Sequence, residues 1–153
     1  MNVFIFSRPI RSGKTTELKQ WCAGREGVTG ILMPDISDER YFESMPGGVQ
    51  WPLKGIDDDT CTEVGRFRIS HASMSRAVDW LSSNRTAGWL VIDEIGRLEL
   101  RGEGFAPLLS SLLSDTAPGP INLLLVIRAT LVDEAIRHFG LEHAHTVSTL
   151  NEI

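Results

Sequence analysis

Residues 4–18 read FIFSRPIRSGKTTEL. A short apolar run, Phe4 to Phe6, enters a loop that closes on Gly13-Lys14-Thr15-Thr16. Helical spacing follows at once in Leu18, Trp21 and Cys22, with Gly24 placed as a C-cap. Strand, loop, Gly-Lys-Thr and helix, in that order, is the construction of a phosphate-binding P-loop. Successive backbone N–H groups and the helix N-terminus converge there on phosphate oxygens. Gly13 permits close approach, Lys14 brings a charge to the β- and γ-phosphates, and the Thr15 hydroxyl is suited to Mg²⁺. The usual pattern is G-x-x-x-x-G-K-[ST], and counting back from Lys14 puts Arg8 at the first glycine. Arg8, Pro9, Ile10, Arg11, Ser12, Gly13, Lys14, Thr15 and Thr16 form the expected nucleotide-contacting segment.

The complementary half is GWLVIDEIGRLEL, residues 88–100. The apolar run Trp89 to Ile92 reads as a strand ending in Asp93-Glu94, the Walker B arrangement. Asp93 is the expected Mg²⁺ carboxylate. Glu94 is placed to orient or deprotonate an attacking water, so Glu94 and Lys14 are the expected catalytic pair. Arg128 follows the apolar run Leu123 to Ile127 and is either a γ-phosphate sensor or a strand-end charge. Glu99 either supports the Mg²⁺ shell or braces the Walker B loop.

The chain has 153 residues, 42% of them hydrophobic, enough for one domain with a buried core. Its net charge of −5 argues against a general nucleic-acid or membrane-surface partner. Cys22 and Cys61 lack metal-site spacing, and His71, His138, His143 and His145 read as structural or solvated. The first apolar run is too short to span a bilayer, so the expected location is the cytoplasm. Further helices are expected around Met74 to Leu81, with Ser70 as N-cap, Phe105 to Leu112, and Val132 to Phe139. Short runs apolar on both faces alternate with helices, which predicts an α/β three-layer sandwich around a mostly parallel sheet. The adjacent carboxylates at 93 and 94 predict a RecA-like order, with Leu123–Ile127 inserted between the Walker A and Walker B strands. Residues 33–68 are rich in Pro, Gly and acidic residues, so they read as an irregular or β-rich insertion in the single domain 1–153. Short antiparallel strands are expected there around Val49–Leu53 and Phe67–Ile69, and Asp57-Asp58-Asp59 reads as a solvated turn.

Together, SGKTTEL and VIDEIGRLEL followed by Phe105 resemble the THEP-type, or cancer-related, nucleoside-triphosphatase family. That family's Walker B region reads D-E-I-G-[KR]-M-E-L, and here Leu98 replaces the methionine. Val64-Gly65-Arg66-Phe67 is similar to its V-G-x-[YF] element, and Asn151 matches its late asparagine, which adds Asn151 to the nucleotide-contacting set. The resemblance implies a compact P-loop fold and Mg²⁺-dependent hydrolysis of nucleoside triphosphates with broad base tolerance. The chain departs from the family loop at Arg8 and Arg11, which fill glycine positions, and residues 33–51 match it poorly. Either the loop relaxes around Pro9, or the two arginines project onto phosphates or solvent. Of the two, Arg11 is the better candidate for a phosphate contact, being nearer to Gly13. The competing functions are a small-molecule P-loop kinase, with Met33–Arg68 as the acceptor site, and a nucleotide-binding switch or subunit with little catalysis.

Overall fold

A computed structural model describes residues 1–9, 11–56, 60–114 and 116–153. Ile10 and the run Asp57-Asp58-Asp59 lie outside the described residues. In chain order the elements are β1 (Asn2–Phe6), α1 (Lys14–Ala23), β2 (Val28–Leu32), β3 (Asp35–Ile36), β4 (Glu39–Met45), β5 (Gln50–Pro52), β6 (Cys61–Val64) and β7 (Phe67–Ser70). There follow α2 (His71–Ser83), β8 (Trp89–Ile95), α3 (Arg97–Leu100), α4 (Ala106–Leu113), β9 (Asn122–Ile127), α5 (Val132–Phe139) and β10 (His145–Val147), with 3₁₀ turns at Ala129–Leu131 and Leu150–Glu152.

The main sheet runs β10-β1-β9-β8-β2-β4-β3, with β5 also paired to β4. The five strands from β10 to β2 are mutually parallel, and β4 turns the far edge antiparallel. β9 therefore lies between the Walker A strand β1 and the Walker B strand β8, the inserted-strand order expected from Asp93-Glu94. β8 is longer than its apolar run suggests. It continues through Asp93 and Glu94 to Ile95, with a register irregularity against β9 at that point. The hairpin β6-β7 forms its own two-stranded sheet. It turns on Gly65-Arg66, and the bonds Ser70 N–H to Leu53 O (2.9 Å) and His71 N–H to Thr60 O (2.9 Å) fasten its base.

Strand residues alternate between the two faces, and so divide the core in two. On one face Ile5, Ile31, Leu90, Ile92, Leu123 and Leu125 pack with α2, α4 and α5 through Ala77, Leu81, Leu109 and Ala135. On the other, Phe6, Leu32, Val91, Leu124 and Val126 pack under α1 through Leu18 and Cys22, with Val147 and Leu150 completing the cover. Ser70 caps α2 as its sequence predicts, its hydroxyl accepting the Ser73 N–H at 3.1 Å. Gly140 ends α5 in the left-handed region at φ 67°.

β2 was hidden in the sequence because Thr29 and Gly30 interrupt its apolar run. The structure gives the glycine a reason. A Cβ built at Gly30 would lie 2.5 Å from Val91 O and 2.6 Å from Val91 Cβ, on the neighbouring strand β8. Backbone cannot yield there without parting two central strands. Gly30→Ala is expected to lower stability by about 1–3 kcal/mol, the scale of overpacking in a filled core. A urea denaturation midpoint equal to that of the wild type would show that this packing is loose.

Candidate active site

The loop after β1 rises from the buried end of the strand, where Ser7 N–H donates to Val147 O at 3.1 Å. It ends at Gly13, the N-cap of α1, which takes a left-handed φ of 79°. Arg11 also stands in the left-handed region, at φ 58°. A side chain there costs roughly 1–2 kcal/mol relative to glycine, so the loop retains glycine-like geometry at 11 under strain. Arg8 solves its position differently, with no positive φ. Its guanidinium turns away from the loop mouth and pairs with Glu17 of α1 at 2.6 Å. Glu17 also accepts the Leu150 N–H at 2.7 Å and the Thr149 hydroxyl at 3.0 Å. Burial pushes the Glu17 carboxyl up, but those hydrogen bonds and Arg8 outweigh it and leave the group below its ordinary range. The Lys14 ammonium donates to the carbonyls of Arg8 (3.0 Å) and Pro9 (3.1 Å). Burial lowers the Lys14 pKa; Glu94 and Asp93 pull it back, and Arg128 and Arg8 reinforce the lowering.

Opposite the loop, β8 delivers its carboxylates. Asp93 is 4% exposed and its Oδ2 accepts the Met33 N–H at 3.0 Å. Burial drives its pKa up to about 6, against the pull of that hydrogen bond. Glu94 is less buried, and its Oε1 accepts from Arg128 Nε at 2.5 Å. Arg128 therefore meets the catalytic candidate directly. Glu99, whose role the sequence left open, braces the loop. It is 3% exposed and accepts the N–H groups of Gly96 (2.9 Å) and Phe105 (3.1 Å). Burial carries its pKa up to about 7, the two backbone hydrogen bonds notwithstanding.

These groups border one cavity of about 660 Å³ at the carboxyl ends of β1, β8 and β2. Arg11, Ser12, Gly13, Lys14, Thr15, Thr16, Asp93, Glu94 and Arg128 all line it. Arg8, Pro9 and Asn151 do not; Asn151 is exposed on the 3₁₀ turn at Leu150–Glu152, close to α1. The wall also includes residues that motif reading missed, among them Met33, Asp35, Arg40, Ile69, Met74 and Leu131. They reach the cavity by tertiary folding, and their spacing along the chain carries no signal.

Among the described residues no group of three or more His, Cys, Asp or Glu side chains could hold a metal. Mg²⁺ needs less than that, because it takes one or two protein oxygens, several waters and substrate phosphates. Thr15 and Asp93 supply one hydroxyl and one carboxylate to the same cavity, which fits that hard-oxygen pattern. No helix among the described residues is long and apolar enough to cross a membrane.

A parallel sheet with a Gly-Lys-Thr loop on one strand, a carboxylate pair two strands away and a further strand between them defines a P-loop nucleotide-binding fold. The fold is like that of THEP1 from the hyperthermophile Aquifex aeolicus, with a TM-score of 0.71 and 19% identity over 99% of this chain and 92% of that one. Fold and motifs thus point to the same type. No protein-family model and no curated protein matches the chain.

Glu99 makes stability depend on pH. Its folded pKa, about 7, lies above its ordinary value of 4.5, so the folded state holds a proton that the unfolded chain releases. The resulting stabilisation is complete below about pH 4.5 and disappears as pH rises through about 7, a difference on the order of 3 kcal/mol. Urea unfolding at pH 5 and pH 8 is expected to show this loss in the wild type and a smaller one in Glu99→Gln. Equal losses in both proteins would assign the pH dependence to other groups.

Proposed function

We propose that the protein hydrolyses nucleoside triphosphates to the diphosphate and phosphate with Mg²⁺, with broad tolerance of the base. The observation that carries the reading is the convergence of Lys14, Thr15, Asp93, Glu94 and Arg128 on one cavity. The loop N–H groups and the N-terminus of α1 bind the β- and γ-phosphates. Lys14 exchanges its two carbonyl contacts for phosphate oxygens, which restores to its charge the partners that burial withholds. Thr15 and Asp93 would hold Mg²⁺, whose contribution is to neutralise charge on the phosphate oxygens.

Glu94 receives the proton of the attacking water, and Arg128 fixes its carboxylate toward the cavity. The buried Cys22 is a free thiol, which suits a reducing compartment and makes the cytoplasm the proposed location.

Lys14→Ala is expected to abolish tight triphosphate binding, since it removes the charge that faces the β- and γ-oxygens. Unchanged affinity by equilibrium titration would sink the site assignment. Glu94→Gln keeps shape and polarity but loses basicity. It is expected to bind Mg²⁺-ATP nearly as well as the wild type while releasing phosphate about 10²-fold more slowly or worse. Normal turnover in that variant would move the chemistry elsewhere.

A further inference from the structure

The cavity, about 660 Å³, is larger than a triphosphate tail needs, and its lining extends past the phosphate loop and β8. The phosphates run along the loop, with the γ end toward Lys14 and the carboxylates of β8. In an in-line displacement the attacking group enters opposite the leaving diphosphate, which is the side beyond Glu94. The β2–α2 crossover lines a further chamber of the same cavity. Leu53, Val64, Ile69 and Met74 give it an apolar floor, and Phe67 and Arg66 of the hairpin form its outer wall.

The charge of this chamber is distinctive. Among the described residues, six cationic side chains line the cavity (Arg11, Lys14, Arg40, Arg66, Arg97 and Arg128) against four carboxyls (Asp35, Asp93, Glu94 and Glu99). In this crossover Arg40 forks onto Asp35 at 3.0 and 3.1 Å, and its guanidinium carbon lies 4.8 Å from the Phe67 ring centroid. Arg66 covers the same ring at 4.8 Å. Among the described residues, neither Arg11 nor Arg66 has an ion-pair partner. Arg40 hydrogen bonds hold the Asp35 carboxyl below its ordinary range, and the charges of Arg66 and Arg11 add to the effect. One carboxylate cannot neutralise three guanidiniums. A water-only reaction needs neither cations without an ion-pair partner among the described residues nor the apolar floor.

We infer that the chamber beyond Glu94 is a second ligand subsite, taking a monophosphate ester with a flat ring. The anion lies among Arg11, Arg40 and Arg66, and the ring lies on Val64, Ile69 and Met74. Phe67 is already contacted by two arginines, so the ring rests on the aliphatic floor. This proposal rests on the triphosphate site described above, because it locates the second ligand relative to the γ-phosphate. Its occupant displaces the attacking water.

The test uses the full chain with AMP, dTMP and phenyl phosphate as probes. Calorimetric titration into protein saturated with Mg²⁺ and the non-hydrolysable analogue AMP-PNP is expected to show one further binding event for at least one probe. Arg66→Ala is expected to weaken that event about tenfold, and Arg66→Lys less. In steady state, the probe is expected to lower kcat for phosphate release while leaving the KM for ATP unchanged. Failure of every probe to bind protein already saturated with AMP-PNP overturns the subsite. So does pure competition with ATP, which would place the probe on the phosphate loop, and so does unchanged probe affinity in Arg66→Ala. Failure of AMP-PNP itself to bind overturns the triphosphate reading instead, so the two failures are distinguishable.

Discussion

The hydrogen bonding of β9 to both β1 and β8 fixes the distance between the two halves of the site. Val126 pairs with Phe6 on one side and with Asp93 on the other. The strand residue before the phosphate loop and the Walker B aspartate are therefore level, two strand spacings apart, or about 9.5 Å. Because the three strands are parallel, both functional loops leave the same edge of the sheet. A slip of one residue in either pairing would turn Asp93 to the opposite face and break the site while keeping a sheet. The apolar residues of β9, all buried from Leu123 to Ile127, pin that register by packing against helices on both sides.

The altered loop meets two different demands with one residue type. At position 8 the chain needs no glycine, because Pro9 restricts the preceding residue to extended geometry, which suits arginine. That arginine then serves as a strut to Glu17, linking the loop to α1 and to the 3₁₀ turn at Leu150–Glu152. At position 11 the left-handed backbone is retained, and arginine bears its strain. Strain held at a site margin is tolerable where the side chain gains a ligand contact. An exposed guanidinium at the cavity mouth, with no ion-pair partner among the described residues, is placed for one.

Strands β1, β8 and β9 and the Gly-Lys-Thr loop between β1 and α1 were legible in the sequence because they rest on local signals. Apolar runs, helix caps and motif spacing are all short-range. What stayed hidden depends on long-range pairing. β4 reads as a charged stretch, Glu39 to Met45, yet Phe42, Glu43 and Ser44 are buried. The buried Glu43 is stabilised by Lys19 at 2.7 Å and Gln50 at 2.6 Å, partners that the local pattern could not announce. Arg40 enters the cavity wall by the same route, through an antiparallel edge whose apolar residues are scattered. Arg8 was ambiguous for a related reason. Its partner stands nine positions on, and only the return of the helix past the loop brings the two together.

The hairpin β6-β7 shares no ladder with the main sheet. Its strands hydrogen-bond to each other, and its base is tied at Leu53 and Thr60. Arg66 at its turn can therefore be exchanged or recoloured in charge without disturbing the register that aligns Phe6, Val126 and Asp93. On the proposed reading, phosphate chemistry and ligand choice are mechanically decoupled in this chain. A lineage could retune what enters the chamber by drift in one surface turn while the phosphoryl machinery stays constant, and a protein engineer has the same freedom.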